Sequence, residues 1–287
     1  MRTYEYLFVE GAYWPAVVTA VAVAIPAAVL SVVVVLKRLA FIGQGISHAA
    51  FGGVGIAAVL GLAGASSAAG LGMLGVVAAF CVAAALGIAW LSDRGRVHTD
   101  TAIGIVLAVA MAVGFLLHRQ AGVMAAAAGR ARPPALESVL FGNVLTVGWS
   151  DASLALVVGA VVLATLWWWR RPMLFWAFDE SASEAFGVRA GAAKRVLLVV
   201  LALTVVLVMK LAGVVLATAL LVLPGAIALR MSDRLRTVGV IAVIAGVVGV
   251  VGGLVLSFEL NWQTGPSIVL ALAGLYVPAR VLGRAGT

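Results

Sequence analysis

Apolar residues occur along the chain in runs of nearly membrane-spanning length, separated by short polar stretches. About 20 consecutive apolar residues cross the hydrocarbon core of a bilayer as one helix, so each run predicts a transmembrane helix. The predicted spans are 14–36, 42–63, 70–91, 102–118, 150–169, 195–211, 212–229, 237–257 and 266–282. The pattern therefore predicts an all-α integral membrane protein, a bundle of about eight to nine transmembrane helices in one domain over residues 1–287.

The composition supports this class and excludes several others. Of the 287 residues, 64% are hydrophobic and only 10% are charged, whereas soluble domains are roughly 25% charged. Cys81 is the single cysteine, which excludes a disulfide framework or a thiolate metal cluster within one chain. The net charge of +8 comes from basic residues scattered between apolar runs, so nucleic acid is not an expected partner and the lipid bilayer is.

The distribution of Lys and Arg predicts the orientation, because short cytoplasmic loops carry the excess of these residues. With the N-terminus outside, one side of the membrane holds 14 of the 19 Lys and Arg residues and the other side holds 5. The sequence therefore predicts a multi-pass protein of the cell's inner or plasma membrane, with its N-terminus outside and its C-terminus in the cytoplasm.

The clearest polar interruption of a span is FIGQGISHAAFGGVGIA, where Gln44 and His48 lie four residues apart on one helix face. At 1.5 Å per residue His48 lies on the order of 12 Å into the helix. A neutral imidazole there can bind a divalent transition metal, and an amide oxygen one turn away can add a weak ligand. A core histidine bonded to a nearby carbonyl is the alternative interpretation.

Other features are candidate parts of a transport pathway or gate. The outer connection 119–149 includes ESVLFGNVLTV, which is too short to span and fits a re-entrant or interfacial helix. Pro224 lies inside an apolar run and predicts a kink, either structural or lining a pathway. Glu259, in an outer polar segment, could form a pathway mouth or only cap helices, and Ser47 beside His48 is a further candidate.

The inner connection 178–195 contains the sequence DESASEAFGVRAGAAKR. Asp179 is suited to cap a short helix that includes Glu180, Glu184 and Ala185, and Gly187 is suited to end it. Such a helix beneath a bundle can dock a soluble partner, and an ordinary capped connecting helix is the alternative.

No nucleotide-binding, zinc-protease or serine-hydrolase motif is present in the sequence. A carboxylate pair, a nucleophile with a base and a multi-histidine cluster are also missing from the predicted spans, so a membrane enzyme is the least expected class. ATP-driven transport would therefore need an ATPase on another polypeptide.

The order of several segments resembles the permease subunits of ABC transporters for zinc, manganese and iron. The matching segments are LKRLAFIGQGISHAAFGGVGIA, DTAIGIVLA (100–108), LFGNVLTVGWSD (140–151), FDESASEAFGV (178–188), KLAGVVLATALLVLPGAIA (210–228) and TGPSIVL (264–270). The resemblance implies a homodimer around one pathway that works by alternating access, a cytoplasmic ATPase dimer and an extracytoplasmic metal-binding protein. It also implies that 178–188 contains the coupling helix, and that metal is the substrate with no permanently bound cofactor.

The family commonly has Asp and His four residues apart in the second span, whereas this chain has Gln44 and His48. Two imidazoles and two amides, repeated by two-fold symmetry, suit zinc better than manganese, which prefers carboxylates. Zinc is therefore the favoured substrate, with manganese and iron open. The alternatives are a permease for a metal chelate such as a siderophore or cobalamin, and a gradient-driven secondary transporter, which would show internal repeats.

Overall fold

Helices account for most of the residues that the structure describes. The structure is a computed structural model that describes residues 13–62, 67–93, 97–129, 133, 147–179, 183, 186–187 and 189–282. The helices within them are α1 (Trp14–Leu36), α2 (Ala40–Val59), α3 (Ser67–Asp93), α4 (Thr99–Ala127), α5 (Trp149–Phe178), α6 (Ala190–Leu220), α7 (Leu223–Met231), α8 (Leu235–Leu260) and α9 (Thr264–Leu282).

The predicted number of spans is confirmed. Nine segments of the described chain are long and apolar enough to cross a membrane. Two spans share helix α6 at their junction: the sixth is Ala190–Met209 and the seventh is Gly213–Met231. Gly213 has φ of +79°, a backbone conformation that glycine adopts easily because glycine has no Cβ.

The bundle has a buried centre and more exposed outer helices. In α2, 72% of the most apolar 18-residue segment is buried, whereas in α4 only 22% of the corresponding segment is buried. Helix α2 packs on α3, α4 and α6, while α1 packs on α5, α7 and α8. Helix α6 contacts both groups and lies between them.

Small residues let α2 and α4 pack with their backbones in contact. A Cβ placed on Gly114 would lie 2.5 Å from the carbonyl carbon of Phe51, and one on Gly55 would lie 2.7 Å from the Gly114 carbonyl oxygen. On another side of α2, a Cβ on Gly53 would lie 2.7 Å from the Cα of Val77 in α3. Glycine is therefore required at these crossings.

Helix α4 is longer than predicted. It continues from the predicted end at residue 118 to Ala127, because AGVMAAAA is rich in strong helix formers. The outer connection therefore begins after α4 at Ala128 instead of at residue 119. The predicted re-entrant segment, ESVLFGNVLTV at 137–147, lies outside the described residues except for its last residue, Val147.

Helix α5 also runs past its predicted end. It continues beyond Arg170 and Arg171 to Phe178, with Pro172 inside it. Met173 and Trp176 are each only 2% exposed and belong to the main core, so packing stabilises a segment whose sequence signals indicate a helix end. The inner connection is correspondingly shorter than 178–195, since α6 already begins at Ala190.

Pro224 does not kink a continuous helix. Helix α6 ends at Leu220, a turn follows, and Pro224 lies in the first turn of α7. A proline is tolerated there because the first N–H groups of a helix have no intrahelical partner. The proline thus marks a helix start within the seventh span.

Candidate functional site

The N-terminal half of one face of α2 is exposed although the helix is the most enclosed span of the described chain. Phe41, Gln44 and His48 lie along this face at helical spacing, with Phe41 and Gln44 exposed and His48 half-buried. The neighbouring positions Gly45, Ile46 and Ser47 are buried. The exposed face therefore places an amide and an imidazole where another molecule can reach them.

The His48 ring is held in a defined orientation by its own helix. Nδ1 lies 3.1 Å from the backbone carbonyl oxygen of Gln44. A carbonyl oxygen can only accept a hydrogen bond, so in this pair Nδ1 carries the proton and donates it. In a neutral imidazole this leaves the lone pair on Nε2, which is the atom that can ligate a metal.

Aromatic rings pack behind the imidazole. The His48 and Phe51 rings meet edge to face with centroids 6.2 Å apart, and Phe51 stacks on Phe115 of α4 at 6.1 Å. Phe51 is buried whereas Phe115 is 49% exposed. The rings connect the exposed face of α2 to α4. This contact is not predictable from the sequence, because Phe115 lies 64 residues after Phe51 in an otherwise plain apolar run.

The described part of one chain does not supply a complete metal site. It contains no group of three or more His, Cys, Asp or Glu side chains that could hold a metal ion. His48 and Gln44 together offer one imidazole and one amide on this face. Further ligands would have to come from a second copy, from water or from the substrate itself.

The structure does not bring the remaining pathway candidates to the exposed face of α2. Ser47 is fully buried, and its hydroxyl donates to the Gln44 carbonyl oxygen at 3.0 Å. Pro224 is buried in α7, which packs on α1, α8 and α9. Glu259 is exposed in the last turn of α8, next to Asn261, which ends that helix in a left-handed conformation.

The inner connection after α5 begins at Asp179, the residue that ends α5. The Ser183 N–H donates to the Asp179 carbonyl oxygen at 3.1 Å, and Ser183 is fully buried. Gly187 has φ of +77°, a conformation that favours glycine. Glu180, Glu184 and Ala185 lie outside the described residues.

An exposed aromatic side chain in this connection was missed by the sequence analysis. Phe186 is 78% exposed, and its ring lies 5.8 Å from that of Phe175 in α5. Its position directly before Gly187, in EAFGV, is the signal that could have identified it.

The helices on both sides of the connection are fixed to the bundle. At the end of α5, Trp176 lies under the ammonium of Lys37, the residue after α1, with 4.2 Å between the ring centroid and Nζ. At the start of α6, Lys194 donates to Asp93 at 2.5 Å and to Ser92 at 2.8 Å, both in α3. A displacement of the connection would therefore act on α1 and α3 as well as on the flanking helices α5 and α6.

Comparison with known proteins identifies the class of molecule. The model of the ABC 3 transport family matches residues 11–283. The chain belongs to the ABC 3 transport family. It is thus a multi-pass membrane permease subunit, a transport component and not an enzyme, as the resemblance implies.

Proteins from other bacteria are similar to this chain over most of their length. A probable iron transport system membrane protein of Haemophilus influenzae is 31% identical, with 92% of this chain and 91% of that protein covered. The manganese transport system membrane protein MntC of Listeria monocytogenes is 30% identical, with coverages of 97% and 94%. The structure of PsaBC from Streptococcus pneumoniae in complex with Fab is similar with a TM-score of 0.76 at 28% identity, covering 92% of this chain and 89% of that one.

Proposed function

We propose that the chain forms the membrane pathway of an ATP-driven importer for a divalent transition metal, with His48 Nε2 as a metal ligand. The supporting observation is the exposed face of α2, where the Gln44 carbonyl binds His48 Nδ1 and leaves Nε2 free to bind metal. The names of the similar proteins, which refer to iron and manganese transport, support a metal as substrate.

A homodimer is part of this proposal, because one chain offers too few ligands. Two copies related by a two-fold axis through the exposed face of α2 would bring two imidazoles and two amides to one pathway. These neutral ligands would bind a divalent cation weakly enough to release it, as transport requires. Rocking of the two copies around this site would give alternating access.

Two arguments about the transported metal point in opposite directions. Neutral nitrogen and amide ligands favour zinc over manganese, which prefers carboxylate oxygen. The names of the relatives favour manganese or iron. We keep zinc as the expectation from the ligand chemistry, to be decided against these two metals by measurement.

Metal accumulation tests the proposal. Cells that express the chain with the ATPase that copurifies with it would be supplied with zinc, manganese and iron together, and their metal content measured by element-resolved mass spectrometry. We expect one metal to accumulate above the vector control, and His48→Ala to abolish the excess at an unchanged amount of protein in the membrane. His118→Ala is the matched control, because His118 also lies in a spanning helix, α4.

Two results would contradict the proposal. Normal accumulation in His48→Ala would remove this residue from the pathway, and a loss in His118→Ala as large as in His48→Ala would make the effect nonspecific. Accumulation that required an added chelator would favour the metal-chelate permease instead.

The connection between α5 and α6 is proposed as the coupling helix that docks into the ATPase, with the N-terminus of the chain outside and the ATPase in the cytoplasm. Phe186 is the exposed side chain that would enter the ATPase surface. Phe186→Ala should reduce copurification of the ATPase, whereas Trp262→Ala, an exposed aromatic residue after the far end of α8, should not. Equal copurification of both variants would contradict this assignment.

A further inference from the structure

A groove on the outside of the bundle combines arginine side chains with apolar walls. It lies between α1, α5 and α8 and has a volume of about 940 Å³. We name it the arginine groove; its lining includes Trp167, Arg170, Arg171, Arg236, Gly239 and Ile244. No acidic residue is among the described residues that line it.

The arginine groove is separate from the proposed metal pathway. Helix α2, which holds His48, packs on α3, α4 and α6, and the groove is formed on the other side of α6 by α1, α5 and α8. A ligand of the groove would therefore meet the outer surface of the bundle and not the exposed face of α2.

The arginines present their donors at one level of the bundle. Arg170 and Arg171 lie two turns before the end of α5, and Arg236 is the second residue of α8. All three are exposed, and no ion pair joins them to a carboxylate of the described chain. The Lys and Arg distribution assigns this end of the bundle to the cytoplasm.

Trp167 positions Arg170 and leaves the N–H donors of its guanidinium available to a ligand. The Arg170 guanidinium carbon lies 3.8 Å from the centre of the Trp167 ring. Because the N–H groups of a guanidinium lie in its own plane, stacking leaves them available to an oxyanion. Arg170 is thus oriented for a phosphate before any ligand arrives.

The apolar part of the groove continues along α8 toward the middle of the bilayer. Val240 and Ile244 line the groove and are 59% and 56% exposed, and Val248 continues the same face at 50%. Gly239 leaves additional space, since nothing lies within 4 Å of a Cβ placed on it. The walls thus suit acyl chains, while the arginines suit a charged headgroup.

We infer that the arginine groove binds an anionic phospholipid of the cytoplasmic leaflet, with its phosphate on Arg170, Arg171 and Arg236 and an acyl chain along Gly239, Val240 and Ile244. Basic pockets between transmembrane helices on the cytoplasmic side suit anionic headgroups. The apolar wall selects a lipid over a free phosphate, because only a lipid fills both parts of the groove.

Native mass spectrometry of the full chain in mild detergent tests this inference. The protein would be titrated with dioleoyl phosphatidylglycerol and, separately, with zwitterionic dioleoyl phosphatidylcholine. We expect one tightly held phosphatidylglycerol per chain and much weaker binding of phosphatidylcholine. Each arginine near an anionic headgroup contributes roughly fivefold, so replacing all three by glutamine should weaken phosphatidylglycerol binding on the order of 100-fold.

The matched control replaces Arg230, Arg234 and Arg280 by glutamine. These arginines belong to the same set of basic residues assigned to the cytoplasm and lie outside the groove lining, so the variant loses the same charge. Equal weakening by both triple variants would overturn the inference, because binding would then follow total charge and not the groove.

A second pair of variants tests the apolar wall without changing charge. Gly239→Leu should fill the groove and lower phosphatidylglycerol binding, whereas Gly252→Leu, also on α8 with no atom within 4 Å of the added Cβ, should not. Unchanged binding in Gly239→Leu would contradict the placement of the acyl chain.

Two further outcomes of the same measurement would overturn the inference. Displacement of the lipid by glycerol 3-phosphate at equal concentration would mean that the groove binds a soluble phosphate. A change from dimer to monomer in the groove variants, with lipid binding unaltered, would make the groove an interface with a second copy.

Discussion

The two halves of one face of α2 differ in what they require of their side chains. In the C-terminal half, Gly52 and Gly55 pack against Gly114 of α4, where backbones touch and an added Cβ would clash. The N-terminal half of the same face bears Phe41, Gln44 and His48, which are partly or fully exposed. The close-packed half thus fixes the position of α2, and the exposed half is left to carry the chemistry.

The largest expected effect comes from breaking the close-packed half of this face. Gly114→Leu would force a side chain into the backbone of Phe51, and overpacking of this kind costs about 3 kcal/mol or more. We expect little folded protein after extraction, measured by size-exclusion chromatography and thermal unfolding. Gly104→Leu is the control, because nothing lies within 4 Å of its added Cβ on the same helix. Equal stability of the two variants would contradict the proposed role of the contact.

A change on the exposed face should alter metal binding and leave folding intact. Gln44→Asp would add a carboxylate one turn from His48, and we expect manganese to be bound about tenfold more tightly because manganese prefers carboxylate oxygen. The measurement is competition between manganese and zinc for the purified chain, with Gln44→Ala as the control for loss of the amide. An unchanged preference would place Gln44 outside the metal site.

The smallest effect is expected at Ser47, which is buried on a different side of α2. Its buried hydroxyl donates to the Gln44 carbonyl oxygen, so Ser47→Ala should cost about 1 kcal/mol of stability. Metal uptake per folded molecule should stay at the unchanged level. Loss of uptake at normal stability would mean that Ser47 belongs to the pathway and that the pathway is not confined to the exposed half of the face.

The sequence predicts the spans well because their signal is local. A run of about 20 apolar residues defines a helix without reference to the rest of the fold, and small residues predict close packing. Which helix fills the space beside Gly52 and Gly55 is decided by tertiary contacts, so α4 could not be named as the partner. The extension of α5 to Phe178 has the same origin, since the burial of Trp176 outweighs the local stop signals.

The candidate site was predictable only in part. The i, i+4 spacing of Gln44 and His48 correctly places both on one exposed face. Ser47 is one residue from His48 but about 100° around the helix, and sequence alone does not decide which side is buried. Phe186 escaped notice because an exposed aromatic residue cannot be told from a buried one by residue type.

The most direct measurement is X-ray absorption of the transported metal bound to the purified full chain. If His48 Nε2 ligates the metal, the spectrum contains the outer-shell scattering of an imidazole ring, His48→Ala loses it, and His118→Ala keeps it. An imidazole contribution that is unchanged in His48→Ala would contradict the assignment of His48 as the ligand.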